Sequence, residues 1–199
     1  MPRLEFWYEF ASPYSYLSVM RIAAAAHRAG VALAWKPFLL GPIFRDLGHA
    51  TSPFVESEAK GAYLQQDLAR QCRKHGLAAW RPPSVFPRRS VRPARLALLG
   101  AERPWIGAFS RAVMALNFVQ DGDIESPAAL AAILEGLGLP AAELLAEAEG
   151  EAVRAALRQQ TARAAARGVF GAPTFFVGDE MFWGDDRLED ALALASSGA

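Results

Sequence analysis

Two stretches of this sequence hold residue types and spacings from which chemistry on an anion could be built. The first is Phe6-Trp7-Tyr8-Glu9-Phe10-Ala11-Ser12-Pro13-Tyr14-Ser15-Tyr16. Leu4, Phe6, Tyr8 and Phe10 alternate with Glu5, Trp7 and Glu9, which is the period of a β-strand. A turn and a helix follow: Ser12 suits the N-cap, and Pro13 suits the first helical position, where its missing N–H would be orphaned anyway. A serine hydroxyl and several free backbone N–H groups then collect at the positive end of a helix, just past a strand's carboxyl end, where negative charge is stabilised. Taken alone, the same Ser-Pro pair is an ordinary helix start. The second stretch is Gly168-Val169-Phe170-Gly171-Ala172-Pro173-Thr174-Phe175-Phe176-Val177-Gly178, in which glycine ends a helix and proline opens a short apolar strand.

The elements that must position these residues follow from periodicity and punctuation. Arg3 to Phe10 reads as a strand, Pro13 to Ala29 as a helix stopped by Gly30, and Val31 to Phe38 as a second strand, a β-α-β unit with a right-handed crossover. Leu39 to about Ala166 contains no convincing strand. Helices are predicted at Ile43–Leu47, Glu56–His75, Pro93–Gly100, Trp105–Phe118, Pro127–Leu137, Pro140–Gly150 and Glu151–Arg167, with a proline-rich passage from Trp80 to Pro87. Strand pattern returns in Thr174–Val177 and Glu180–Trp183, joined by a Gly178-Asp179 turn. Asp185 or Asp186 is then expected to cap a last helix from Arg187 to Ala195.

Composition excludes several classes. The chain has 199 residues, 52% of them apolar, and no net charge, which suits one domain or one with a sizeable insertion. No apolar run is long enough to span a membrane, and no basic-then-apolar leader precedes the first strand, so cytoplasmic residence is expected. Cys72 is the single cysteine, which rules out an intrachain disulfide or a dithiol redox motif. It reads as an incidental helix-face residue in a polar segment. His27, His49 and His75 lack metal-ligand spacing, so no metal is expected. There is no P-loop, dinucleotide fingerprint or Gly-x-Ser-x-Gly elbow. Leu68 to Ala101 has no acidic residue but carries Arg70, Arg73, Lys74, Arg81, Arg88, Arg89, Arg92 and Arg95. Such arginine forks suit carboxylates and phosphates. They could line a funnel for an anionic aromatic substrate together with Trp80, Phe86 and Trp183, or they could form a solvated arginine surface. A nucleic-acid patch is disfavoured by the zero net charge and the lack of any accompanying motif.

Together the two stretches resemble the thioredoxin superfamily, in which residues at the first helix N-terminus face a cis-proline ahead of the third strand. Ser12-Pro13-Tyr14-Ser15 stand where redox members carry Cys-x-x-Cys. Over essentially its full length the chain is similar to the 2-hydroxychromene-2-carboxylate isomerases and the related kappa-class glutathione transferases, grouped with DsbA-like thioredoxin folds. The resemblance rests on Ser12-Pro13-Tyr14-Ser15-Tyr16, Phe38-Leu39-Leu40-Gly41, Lys60-Gly61-x-Tyr63, Gly168-Val169-Phe170-Gly171-Ala172-Pro173-Thr174 and Trp183-Gly184-Asp185-Asp186-Arg187-Leu188. It implies an α/β chain: a thioredoxin fold with an all-α domain inserted after the second strand. Residues 1–38 and 167–199 would form the thioredoxin-like domain and 39–166 the insert, whose last helix could pack on the thioredoxin-like part.

The resemblance also implies a glutathione site. Ser12 would lie against the sulfur and favour its thiolate, beside Pro13 and Tyr14. Ala172, before a cis Pro173, would pair its backbone with the glutathione main chain. Asp185 and Asp186 would take the γ-glutamyl ammonium, and Lys60 a carboxylate. His49 stands where the family often has an asparagine that contacts glutathione, and Arg89 and Asp185 also replace frequent family residues. The implied activity is glutathione-dependent isomerisation of 2-hydroxychromene-2-carboxylate, or of a related small aromatic carboxylate, by a homodimer. A kappa-like glutathione transferase and a non-catalytic thioredoxin-fold binding protein are the alternatives.

Overall fold

The alternation at the N-terminus becomes strand β1, Arg3–Tyr8, in the computed structural model of the chain, which describes residues 2–198. The outermost positions of the expected domain bounds, 1 and 199, lie outside the described residues. Helix α1, Pro13–Ala29, starts where the local rules place it. Ser12 is extended (φ −88°, ψ 117°), its side chain accepts the Ser15 N–H, and Pro13 opens the first turn. Gly30 ends the helix in the left-handed region at φ 66°, a conformation that glycine adopts at no steric cost. Strand β2, Ala32–Pro37, then pairs parallel to β1.

Helices follow without an intervening strand among the described residues: α2 (Leu40–Asp46), α3 (Pro53–Glu56), α4 (Glu58–His75), α5 (Val91–Gly100), α6 (Ile106–Phe118), α7 (Pro127–Gly136), α8 (Ala141–Ala148) and α9 (Glu151–Ala166). The helix expected from Glu56 to His75 is α4, starting two residues later, and the short α3 precedes it. Ser57 is extended, and its hydroxyl accepts the Lys60 N–H to start α4 afresh. Strands β3 (Thr174–Val177) and β4 (Glu180–Trp183) come next, then a 3-10 turn (Asp185–Arg187) and α10 (Leu188–Ser196). Neither Asp185 nor Asp186 caps this last helix, contrary to expectation, since α10 has no side-chain cap. The sheet order is β2-β1-β3-β4, with β3 antiparallel to both β1 and β4.

Both sheet faces are covered toward the end of β1, where Phe6, Trp7 and Tyr8 are all buried. On one face Phe6 stacks on Tyr8 and Phe175 at centroid distances of 4.9 and 5.4 Å, and Trp35 meets Phe6 edge-on. This stack belongs to the main core, with Leu17 and Ile22 of α1, Phe109 and Val113 of α6, and Leu188 and Leu192 of α10. On the other face Trp7 and Phe176 pack with Phe38, Ile43 of α2 and Ala164 of α9. Cys72 lies on a helix face, as expected, but on the apolar side of it. It is buried, on one α4 face with Leu64 and Leu68 at i, i+4 spacing. Burial pushes its thiol pKa up, away from reactivity. No helix among the described residues is long and apolar enough to cross a membrane.

Candidate functional site

The turn between β1 and α1 meets the segment before β3. Ser12 is buried, and its Oγ donates to the Ala172 carbonyl at 2.7 Å while accepting the Ser15 N–H at 3.2 Å. The Ala172-Pro173 peptide is cis, as the resemblance implied. Two bonds hold this segment in place. Thr174 Oγ1 donates to the Gly171 carbonyl at 2.9 Å, and the Gly184 N–H donates to the Pro173 carbonyl at 3.0 Å. No hydrogen-bond partner for the Ala172 N–H exists among the described residues. The Tyr14 N–H, in the first helical turn, has no intrahelical acceptor either. A hydroxyl and backbone donors therefore converge at a helix N-terminus beside a free strand-like edge. That arrangement can hold an anionic sulfur and an extended main chain.

The other expected site residues divide into those joined to this centre and those held elsewhere. Tyr14 Oη donates to Asp67 of α4 at 2.9 Å, and its ring lies 6.0 Å from that of Phe54, so α1 and the inserted helices meet here. Burial, and the carboxylate of Asp67 beside it, push the Tyr14 phenol pKa far above its ordinary value. Trp183 is exposed and packs edge-on against Phe170 at 4.7 Å, an aromatic ledge beside the Gly171-Ala172-Pro173 segment.

Asp185 is not free. It is buried, 2.9 Å from the Arg21 guanidinium, and accepts from Ser18 Oγ at 2.7 Å. Asp186 is exposed and paired with Arg187 at 2.9 Å. Lys60 is exposed in the first turn of α4, without an ion pair among the described residues. His49 Nδ1 lies 2.8 Å from Glu56, with its ring edge toward Phe44.

Trp80, Phe86 and Arg89 sit on a segment tied to α6 and the turn at Asp121. The Arg81 N–H donates to the Phe118 carbonyl at 2.7 Å, and the Ser84 N–H to Asp121 at 2.8 Å. Trp80 and Phe86 are half-buried against the core, and the Trp80 indole N–H is buried without a partner among the described residues. Arg89 is exposed, 3.7 Å from Glu125. The arginine excess is largely cancelled by acids from outside its segment. Arg70 pairs with Asp67, Arg88 with Asp121, and Arg92 and Arg95 with Glu149. Arg73, Lys74 and Arg81 remain without an ion pair among the described residues.

Sequence reasoning missed Glu9, Arg21, Asp67 and Phe170 as members of this region. The alternation puts Glu9 in phase with Glu5 and Trp7, but the strand ends at Tyr8 and Glu9 is buried. Arg21 and Asp67 sit on helix faces that looked merely polar. Phe170 lay in the second stretch without a role.

Comparisons with known proteins agree with this geometry. The profile of the DSBA-like thioredoxin domain matches residues 3–194. The 2-hydroxychromene-2-carboxylate isomerase of Pseudomonas putida is 30% identical over 193 residues, covering 93% of this chain and 90% of its own. Glutathione S-transferase kappa 1 of Rattus norvegicus is 27% identical, over 94% of this chain and 87% of its own. Among solved structures, a 2-hydroxychromene-2-carboxylate isomerase superposes with a TM-score of 0.86 at 25% identity, covering 98% of this chain and 95% of that one. With a serine in the first-turn position, a cis-proline segment facing it and a helical insert between, this chain belongs to the DsbA-like thioredoxin-domain family.

Proposed function

We propose that this protein is a glutathione-dependent isomerase of 2-hydroxychromene-2-carboxylate or a related small aromatic carboxylate. The observation that carries the reading is the Ser12 hydroxyl, held at the α1 N-terminus and aimed at the Ala172 carbonyl 2.7 Å away. The pairing with named relatives over nearly the whole chain supports it. The residues fit glutathione: the Ala172 N–H and C=O offer a strand-like edge to a peptide main chain, and the exposed Asp186 and Lys60 offer charges for its ammonium and a carboxylate. Asp185, engaged by Arg21 and Ser18, would act by fixing the turn that presents Asp186.

Glutathione, when bound, would supply a thiolate for reversible nucleophilic addition, a chemistry with no net redox change. The task of the protein is to keep that sulfur ionised. A thiol has a reference pKa of about 8.5, so the thiolate is a minority species at neutral pH. The Ser12 hydroxyl and the helix N-terminus each stabilise the anion by roughly 1 kcal/mol, which together lowers the pKa by about one to two units. Ser12 would turn its proton from the Ala172 carbonyl toward the sulfur, which would leave that carbonyl free for a main-chain donor. Phe170 and Trp183 would lie along the aromatic part of the substrate, with Trp80, Phe86 and Arg89 on the side of the insert.

Calorimetry with glutathione, followed by turnover of 2-hydroxychromene-2-carboxylate, tests the reading. Micromolar-to-millimolar binding with a depressed thiol pKa, both weakened in Ser12→Ala, is expected, and absence of binding overturns it. The similarity to a kappa-class transferase favours one second reading, conjugation of small electrophiles. A stable conjugate with chlorodinitrobenzene and no chromene turnover would select it.

A further inference from the structure

The end of β1 is joined to the inserted helices at three successive residues. Tyr8 Oη and Ser110 Oγ of α6 are 2.8 Å apart. Asn117 of α6 donates its Nδ2 to the Phe10 carbonyl at 2.9 Å, although this leaves its buried Oδ1 without a partner among the described residues. Between them lies Glu9, whose carboxylate is 4% exposed and receives hydrogen bonds from three directions. One oxygen accepts the Ala11 N–H at 3.2 Å and the Ser90 hydroxyl, at the N-cap of α5. The other accepts the Leu40 N–H, the first amide of α2, at 2.9 Å. The Glu9 main chain is committed too, because its carbonyl accepts the Ser12 N–H at 3.1 Å.

These bonds have a common geometry. α2 begins the insert, α5 crosses it, and Ala11 is the residue before Ser12. Glu9 caps the first amide of α2, which has no other side-chain cap, and holds the hydroxyl of the α5 N-cap residue. A carboxylate placed in a dry interior is costly unless its oxygens are bonded, and these are. Glu9 cannot touch a ligand at Ser12, since it is buried and both its oxygens are occupied.

From this we infer that Glu9 is a positioning residue for Ser12. It locks the turn carrying the hydroxyl to the first residues of α2 and α5, so that the turn and the inserted helices move as one body. The inference rests on the reading of Ser12 as the partner of a glutathione sulfur.

The two oxygens make Glu9→Gln a selective test. Keeping the amide oxygen toward Ala11 and Ser90 turns the NH2 against the Leu40 N–H, donor to donor, and the reverse orientation sets the NH2 against the Ala11 N–H, with Ser90 able only to accept from it. One of the two amides, Ala11 or Leu40, therefore loses its acceptor, and its hydrogen exchange should accelerate at least tenfold in Glu9→Gln, with little change in distant core amides such as Phe175. Glutathione affinity should fall severalfold. In the double variant Glu9→Gln/Ser12→Ala, the further loss caused by Glu9→Gln should be absent, because it acts through Ser12. A purely structural role would instead give additive losses and uniform acceleration of exchange, and either result overturns the inference. Should Glu9→Gln not fold, Ser90→Ala removes one donor only and should accelerate exchange at Ala11 and weaken binding in the same non-additive way. If the wild-type protein binds no glutathione, the proposed activity fails, and exchange at Ala11 and Leu40 still decides whether the clamp exists.

Discussion

Removal of the Ser12 hydroxyl should produce two separable effects, one on folding and one on chemistry. Ser12 Oγ accepts the Ser15 N–H at 3.2 Å and donates to Ala172 at 2.7 Å. Loss of an N-cap costs about 1 kcal/mol, and loss of the second bond costs about 1 kcal/mol net. For a chain of this size, each kcal/mol shifts Tm by roughly 2–4 °C. Ser12→Ala should therefore melt about 4–8 °C below wild type by calorimetry or circular dichroism. Ser12→Gly separates the two terms, because glycine at an N-cap costs only a few tenths of a kcal/mol. It should recover about half of the lost Tm. The thiol effect should not recover. Both variants lack the donor to sulfur, so the pKa of bound glutathione, read from thiolate absorbance, should rise by about 0.7 unit in each, the equivalent of roughly 1 kcal/mol. Wild-type Tm and thiol pKa in Ser12→Ala would show that the hydroxyl is neither cap nor sulfur partner. Recovery of the pKa in Ser12→Gly would show that the effect runs through helix stability instead.

Three other perturbations test the supports of the site. Arg21→Ala leaves the buried Asp185 carboxylate without its guanidinium and should destabilise by about 3 kcal/mol in urea melts, with Asp185→Asn milder; equal, small effects would refute a buried pair. Cys72 is buried with a raised thiol pKa, so its reaction with a thiol-exchange reagent should be slow in the native protein and follow unfolding as urea is added; fast native labelling would contradict the burial. Glu9 titrates in the opposite sense to the surface carboxylates. Burial lifts its pKa above the reference 4.5, so the folded protein holds this proton more tightly than the unfolded chain does. The stability it contributes is present below 4.5 and is lost as pH climbs from there through the raised folded value. The stability deficit of Glu9→Gln relative to wild type should shrink across that window in urea melts at stepped pH. Glu149, whose pKa is lowered first by its hydrogen bond from Arg92, acts in the other direction but is common to both proteins and cancels in the difference. A deficit that grows with pH would mean that the donors around Glu9 outweigh its desolvation.

What was legible in the sequence was legible because its cause is local. Ser12, Pro13 and Gly30 act within one turn of helix, and their geometry is as expected. Gly178 turns the last hairpin in the left-handed region, again by a local rule. The four-residue α3 was not anticipated because a single turn, started by Ser52 and Pro53 and ended at the extended Ser57, has no periodicity to read. Cys72 carried a signal that was passed over: Leu64, Leu68 and Cys72 recur every four residues, and that spacing alone puts them on one buried face. The arginine-rich segment misleads for the opposite reason. Charge counted along the chain says nothing about charge in space: Asp67 meets Arg70 from one turn earlier in α4, and Asp121, Glu125 and Glu149 come from other parts of the chain.

The non-local contacts share a pattern that bears on how the site works. Arg21 meets Asp185 across 164 residues, Ser12 meets Ala172 across 160, and Glu9 meets Ser90 across 81. Each joins a polar side chain near the start of the chain to a carbonyl, carboxyl or hydroxyl group that no periodicity could have paired with it. Each also lies at the seam between the first strand-helix unit and something added later, either the insert or the returning strands. Apolar packing of Phe6, Tyr8 and Phe175 would hold these layers together without them. Such packing tolerates sliding among similar side chains, whereas a hydrogen bond to a buried carboxylate holds within a few tenths of an ångström. A sulfur anion gains from a hydroxyl only at hydrogen-bonding distance, so the turn at Ser12 needs the stricter kind of restraint. The buried polar contacts are therefore concentrated where the position of one oxygen matters, and the aromatic core supplies stability over the rest of the fold.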